Sequence, residues 1–326
     1  MDNLISKISK RGVRSSTINL YERHLKKLSK ALTGKEFENM DFVNSKTKEL
    51  LEFLNKQSSS VKKNYIASIL VGLSPDTKKS PLEKYQKVYN KLSEILVEEH
   101  SNYINGKREN KKNDKENDNW LEWNDILKLK RSLGNELRKR NVKLSNNIIS
   151  KKNKDLLQQY LVLSLYTDIP PRRNEYADMK IINKSDYQKL NDNDKEKNVY
   201  LVTNGRNKKK LHFGRDAVKS EGEEKYNVFP VPGNLNSVIN LWLNYHKEDY
   251  LLEDSRGKQL TKNGLTKYIN KIFSPLDKSI STSMLRKIFL SHKFKDEEER
   301  QKEKEELSRM MNHSKEVQQT VYVKFD

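Results

Sequence analysis

Four separated stretches of the chain concentrate side chains that can hold a phosphodiester and attack it. In "DIPPRRNEY", Arg172 and Arg173 follow two helix-halting prolines, and Glu175 stands close enough in sequence to orient one of them. A guanidinium suits the task because its planar fork bonds two phosphate oxygens at once and never loses its charge. In "DAVKSEGEEKY", a turn between expected strands, Lys219 can reach toward a leaving oxygen, with Lys208, Lys209 and Lys210 on the preceding connection as rivals. In "STSMLRKIFLSH", Ser283 and Arg286 are three residues apart and share a helix face, while Met284, Leu285, Ile288 and Phe289 point to a mostly buried helix. A buried arginine needs an anion. Last, in "MMNHSKEVQQTVYVKFD", His313 stands nine residues before Tyr322. The imidazole can donate to a phosphate oxygen, and a phenol becomes a nucleophile when cations stabilise its phenolate. Taken singly, each stretch has a plainer reading: a surface ion pair, a solvated lysine, a helix-surface cation, a packing tyrosine.

Composition narrows the chemistry. The net charge of +20 over 326 residues favours a polyanionic partner, nucleic acid before an anionic membrane. With no cysteine, disulfides, zinc-thiolate fingers and thiol nucleophiles are excluded. The six histidines form no H-x-x-x-H pair, so no metal site is expected, and no glycine-rich phosphate loop precedes a Gly-Lys pair, so ATP use is not supported. No cofactor is expected. The longest apolar run, "YLVLSLY", is too short to span a bilayer and no signal-peptide pattern opens the chain, so the expectation is a soluble intracellular protein.

The elements that must position these groups read as two domains. Residues 1–104 carry apolar residues at three- and four-residue steps, as in Ile18, Tyr21, Leu25, Leu28 and Leu32, and predict a bundle of about four helices. Residues 105–119, "NGKRENKKNDKENDN", contain no apolar side chain and predict a charged linker. Residues 120–326 predict a mainly helical α+β domain with one small antiparallel sheet, its strands expected at "NVYLVTN", "KLHFGRDAV" and "KYNVFPVP".

In this order the motifs resemble the tyrosine recombinase or phage-type integrase family. Arg172 with Glu175 is similar to the family's first arginine motif, and Lys219-Ser220 to the lysine of its β2–β3 turn. Ser283-x-x-Arg286 is similar to its second box, and Asn312-His313-Ser314 followed by Tyr322 to its third. The wording "PPRRNEY" and "LRKIFLS" resembles integrases of large eukaryotic DNA viruses, virophages and mobile elements, which implies a host nucleus or viral factory. Ser283 departs from the usual histidine or lysine, offering a neutral hydrogen bond in place of a charge-assisted one. Four residues follow Tyr322, so the helix with which many members dock on a neighbouring protomer is not expected.

The resemblance implies site-specific recombination of double-stranded DNA through a 3′-phosphotyrosyl intermediate on Tyr322, without ATP or metal. Arg172, Ser283, Arg286 and His313 would hold the scissile phosphate and Lys219 would protonate the leaving oxygen. It also implies a helical core-binding domain over 1–104 that closes with the catalytic domain as a clamp on DNA, through Arg14, Lys62, Lys63, Arg173, Lys208, Lys209 and Lys210. The working assembly would be a homo-tetramer on DNA, and a monomer or weak dimer when free. A DNA-relaxing enzyme of the type IB topoisomerase kind, using the same residues, and a catalytically impaired DNA-binding relative stay open.

Overall fold

The computed structural model describes residues 2–13, 15–75, 81–108, 112–142, 149–206, 208–218 and 224–297. The chain divides into two compact units, Met1–Lys111 and Lys112–Asp326. Among its described residues the first unit is helical: α1 (Asp2–Ser9), α2 (Ser15–Thr33), α3 (Asp41–Ser45), α4 (Thr47–Asn55), α5 (Ser59–Leu73) and α6 (Gln86–Arg108). Its core is the apolar stripe that the spacing predicts. Leu25 and Leu28 of α2, Leu50 and Leu54 of α4, and Ile66 and Ile69 of α5 are fully buried, with Leu92 of α6 against them. Each helix thus owes its stability to one buried face. The short helices α1 and α3 are additions to the four expected.

The second unit opens with a difference from the sequence reading. Part of the expected linker folds as α7 (Asp114–Asn119). No apolar side chain drives it; a capping box does, in which Asn113 accepts from the Glu116 N–H and Glu116 accepts from that of Asn113. Asn119 then accepts from the Ser279 N–H at 2.6 Å, and Glu116 forms an ion pair with Lys287, which pins α7 to the second unit.

From there the chain runs through α8 (Trp123–Lys139) and α9 (Lys151–Thr167). Every residue from Leu161 to Tyr166 is buried, so α9 is the central helix of the unit. Strand β1 (Lys180–Asn183) follows, then the short helices α10 (Lys184–Lys189) and α11 (Asp192–Lys197), strands β2 (Val199–Asn204) and β3 (Lys208–Gly214), α12 (Arg215–Val218) and β4 (Tyr226–Pro230). Three helices follow among the described residues: α13 (Gly233–Tyr245), α14 (Lys262–Phe273) and α15 (Thr282–Lys293). Leu201, Leu211 and Phe213 of the sheet pack with Leu165 and Tyr166 of α9, Trp242 of α13, Phe273 of α14 and Leu285 of α15 in one core.

The fold class is α+β as expected, and the sheet differs in detail. Among the described residues it has four strands in the order β1-β2-β3-β4 and is mixed, because β1 pairs parallel with β2 while the other pairs are antiparallel. A parallel neighbour requires a crossover, and α10 with α11 supplies it. The expected strand "KLHFGRDAV" stops at Gly214, where the chain turns into α12. A Cβ at Gly214 would lie 2.2 Å from the Glu196 carbonyl oxygen, so only glycine lets the end of β3 pass this close to α11. Among the described residues no helix is long and apolar enough to cross a membrane.

Candidate functional site

The sequence-predicted arginines converge on one pair of buried tyrosines. Helix α9 ends at Thr167, and Pro170 and Pro171 forbid its continuation, so the chain leaves as a loop that turns back through a 3₁₀ turn at Glu175–Asp178. Two hydroxyls tie that loop to α9. Tyr166 donates to the Arg173 carbonyl at 2.6 Å, and Tyr176 donates to the Leu165 carbonyl at 3.2 Å. The rings of Tyr166 and Tyr176 meet edge to face, 5.3 Å between centroids.

Arg172 lies flat on the sheet, its guanidinium carbon 3.7 Å from the centre of the Phe213 ring on β3. That contact is an attraction to the ring face that leaves the hydrogen-bonding edge of the guanidinium unused. Its Nε is buried and has no hydrogen-bond partner. Arg286 is half-buried on α15, whose first turn is capped by Ser281 accepting from the Met284 N–H. The Arg286 Nε is likewise buried and unpartnered. Ser283, three residues earlier on α15, is exposed.

Glu175 is buried, and its Oε2 also lacks a partner. Among the described residues it forms no ion pair with Arg172 or Arg173, in contrast to the expected orienting contact. Asp168 Oδ2 is the remaining buried side-chain atom without a partner among the described residues; its other oxygen is paired with Lys130. Three of four such atoms therefore sit on the Arg172–Glu175 loop and on Arg286. Folding leaves few buried polar groups unpaired, so the two Nε–H donors and the Glu175 oxygen stand out from the rest of the described fold.

The electrostatics agree with this placement. Burial pushes the Tyr166 phenol well above its ordinary value, the Tyr176 and Glu175 charges add to the rise, and Arg286 opposes it. Tyr176 is pushed up by burial and by Glu175, with Arg172 pulling the other way. Neither phenol is suited to attack, since each is a neutral donor committed to a carbonyl. The Arg172 charge thus bears on Tyr176 and the Arg286 charge on Tyr166, two tyrosines whose rings are in contact.

The lysines divide. Lys208 and Lys210 are exposed, and Lys209 between them is buried with its ammonium donating to the Arg206 carbonyl (2.8 Å), Asn236 Oδ1 (3.1 Å) and Asn240 Oδ1 (2.6 Å). The strand alternation turns Lys209 to the opposite face from its neighbours, so its expected role at a DNA surface is corrected to a structural one. Burial without a carboxylate partner lowers its pKa. The turn between β2 and β3 crosses Gly205, at φ +65°, and leads into Lys208. Because β1 adds a strand that the sequence reading lacks, Lys219 falls between β3 and β4.

In the first unit Lys62 is held by Glu99 at 3.0 Å, and Lys63 is half-buried beside it. Arg173 is exposed. Arg14, Lys219, His313 and Tyr322 lie outside the described residues. Among the described residues no cluster of three or more His, Cys, Asp or Glu could hold a metal ion. The sequence reading missed Phe213 as the platform for Arg172, and missed Asn174 and Thr282, which link the two arginine-bearing segments: the Thr282 hydroxyl donates to Asn174 Oδ1 at 2.9 Å. The "PRRNEY" run contains Asn174 without any signal that sets it apart from a loop asparagine.

No protein-family model matches the chain, and no curated protein matches it. Among solved structures it is similar to a XerA recombinase crystal structure, with 13% sequence identity over 87% of this chain and 81% of that one, at a TM-score of 0.29.

Proposed function

We propose that this protein is a DNA strand-transfer enzyme of the tyrosine recombinase kind. The observation that supports this reading most is the pair of half-buried arginines, Arg172 and Arg286, whose Nε–H groups are unpartnered around one buried tyrosine pair. Two cations kept without carboxylate partners are matched to an anion that arrives from outside, and a phosphodiester with two non-bridging oxygens fits a pair of guanidinium forks. The net charge of +20 is of the sign that draws DNA to the surface.

In this reading Arg172, Arg286 and His313, with the Ser283 hydroxyl, hold the non-bridging oxygens and stabilise the charge that grows in the pentacovalent transition state. Tyr322, its proton released to water and its phenolate stabilised by the neighbouring cations, attacks phosphorus; the P–O bond to the 5′ oxygen breaks, and that oxygen leaves with a proton from a lysine. The product is a 3′-phosphotyrosyl link and a free 5′-hydroxyl, which can re-attack or give way to the 5′-hydroxyl of another duplex. The family places its lysine in the β2–β3 turn. In this sheet that turn leads to Lys208, so Lys208 stands beside Lys219 as the proton donor.

The test is single-turnover cleavage of duplex DNA carrying the protein's own target, in EDTA. Arg172→Ala and Arg286→Ala should each slow cleavage by about 10²-fold or more, as loss of one donor to a developing charge does elsewhere. Cleavage by both variants at the wild-type rate would refute the assignment of the phosphate site.

A further inference from the structure

The loop that carries Arg172 and the helix that carries Arg286 are joined by uncharged groups. Asn174 lies two residues after Arg172, and its side chain reaches two helices at once. Its Oδ1 accepts from the Thr282 hydroxyl of α15 at 2.9 Å, while its Nδ2 donates to Thr266 Oγ1 at 3.0 Å and to the Lys262 carbonyl at 3.2 Å, both on α14. A carbonyl only accepts, so the amide must face α14 with its nitrogen and α15 with its oxygen. Thr282 is buried and lies four residues before Arg286, one turn away on the same face of α15. Fixing Thr282 therefore fixes the rotation of the helix face that presents Arg286. A second tie, the ion pair of Asp178 with Lys262 at 2.7 Å, anchors the far end of the same 3₁₀ turn to α14.

We infer that Asn174 is a positioning residue that sets Arg172 and Arg286 in register through Thr282. This rests on the strand-transfer reading for the identity of the reaction. An amide is the fitting group for the place. An ionised carboxylate there has no N–H to give the Lys262 carbonyl, and an apolar side chain would leave the loop and α15 free to shift independently. With Tyr166 holding the Arg173 carbonyl, the stretch from Arg172 to Asn174 is secured by neutral donors and acceptors, and the Nε–H groups of Arg172 and Arg286 stay available. Reaction rates depend steeply on such alignment: a misplacement of about 1 Å can cost about 10²-fold.

The experiment compares full-length wild type with Thr282→Val, Thr282→Ser, Asn174→Ala and the Asn174→Ala/Thr282→Val double variant. Each is assayed for formation of an SDS-resistant protein–DNA adduct on a nicked duplex that traps the covalent state, together with DNA affinity and Tm. Thr282→Val keeps shape and loses only the hydroxyl, so it should slow adduct formation by about tenfold or more with DNA affinity within about twofold of wild type. Thr282→Ser, which keeps the hydroxyl, should recover most of that loss. The double variant should be no slower than Asn174→Ala, since the two side chains act through one bond. A Thr282→Val rate within about twofold of wild type would overturn the inference, as would a loss that serine does not recover or one that follows DNA affinity alone. Failure of the wild type itself to form an adduct would instead overturn the strand-transfer reading, and this inference with it.

Discussion

Arg286 can be tested as a cation held for a ligand by asking what it costs the fold. Arg286→Met keeps an unbranched stem of similar reach and removes the buried, unpartnered Nε–H. A buried donor left unsatisfied costs about 1–3 kcal/mol, so its removal should stabilise the fold by a substantial part of that. Arg172→Met removes the same kind of orphan, and it also removes the stacking on Phe213, where the guanidinium lies 3.7 Å from the ring centre. That contact contributes about 0.5–2 kcal/mol in the opposite direction, so the two effects nearly offset. In a domain of 150–250 residues, the size class of Lys112–Asp326, each kcal/mol moves Tm by about 2–4 °C. Arg286→Met should therefore raise the unfolding temperature of the second unit by several degrees, and Arg172→Met should leave it nearly unchanged. The assay is calorimetry in a buffer free of phosphate and sulfate, because an anion bound to the native site would stabilise wild type by mass action and hide the difference. Adding phosphate should then raise Tm of wild type and not of Arg286→Met. A fall of several degrees in Arg286→Met without phosphate would show that the guanidinium is a structural group, and the phosphate-site argument would lose its basis.

Two further predictions address the sheet. His212 is fully buried among Tyr187, Tyr200 and Tyr226, with Tyr187 OH at 2.8 Å from Nδ1 and the Lys195 carbonyl at 2.6 Å from Nε2. Burial lowers its pKa, while the bond to the Lys195 carbonyl opposes that shift and the Lys195 charge adds to it. The unfolded chain therefore takes up a proton below about pH 6.5 that the native state resists, and stability falls as pH drops through that range. His212→Gln should reduce the Tm loss between about pH 7.5 and about pH 5; an equal loss in the variant would refute the assignment. For the proton donor, Lys208→Ala should slow DNA cleavage by about 10²-fold or more, and a 5′-sulfur leaving group, which needs no proton, should restore it. If Lys219→Ala shows that pattern and Lys208→Ala does not, the role returns to the turn between β3 and β4.

The helices were legible wherever one face is buried. The spacing of Leu25 with Leu28, of Leu50 with Leu54, and of Leu285 with Ile288 announces α2, α4 and α15, because burial of a stripe is what makes each helix stable. Elements held by polar contacts were not legible. Helix α7 depends on the Asn113–Glu116 capping box and on partners more than 150 positions away, and read only as a charged run. Strand β1 is four residues long, too short for an alternation to register, and without it both the parallel pairing and the count of turns along the sheet were misplaced. Among the candidate site residues, Arg172 and Arg286 stand out in the sequence by type and spacing. Lys209 could not be told from Lys208 and Lys210, because which of three consecutive lysines turns inward depends on the register of β3. Asn174 acquires meaning only once Thr282, 108 positions later, stands beside it.

Strand transfer of this kind requires Tyr322 to bond covalently to DNA, and that bond can be trapped. Full-length protein is incubated in EDTA with a duplex carrying its own target, nicked so that the 5′-hydroxyl fragment diffuses away, and the adduct is resolved by denaturing electrophoresis and peptide mass spectrometry. Wild type should give an adduct in which the 3′-phosphate end is attached to the peptide containing Tyr322, and Tyr322→Phe should give none at undiminished DNA affinity. An adduct that survives Tyr322→Phe, or cleavage that leaves no protein on the DNA, would contradict it.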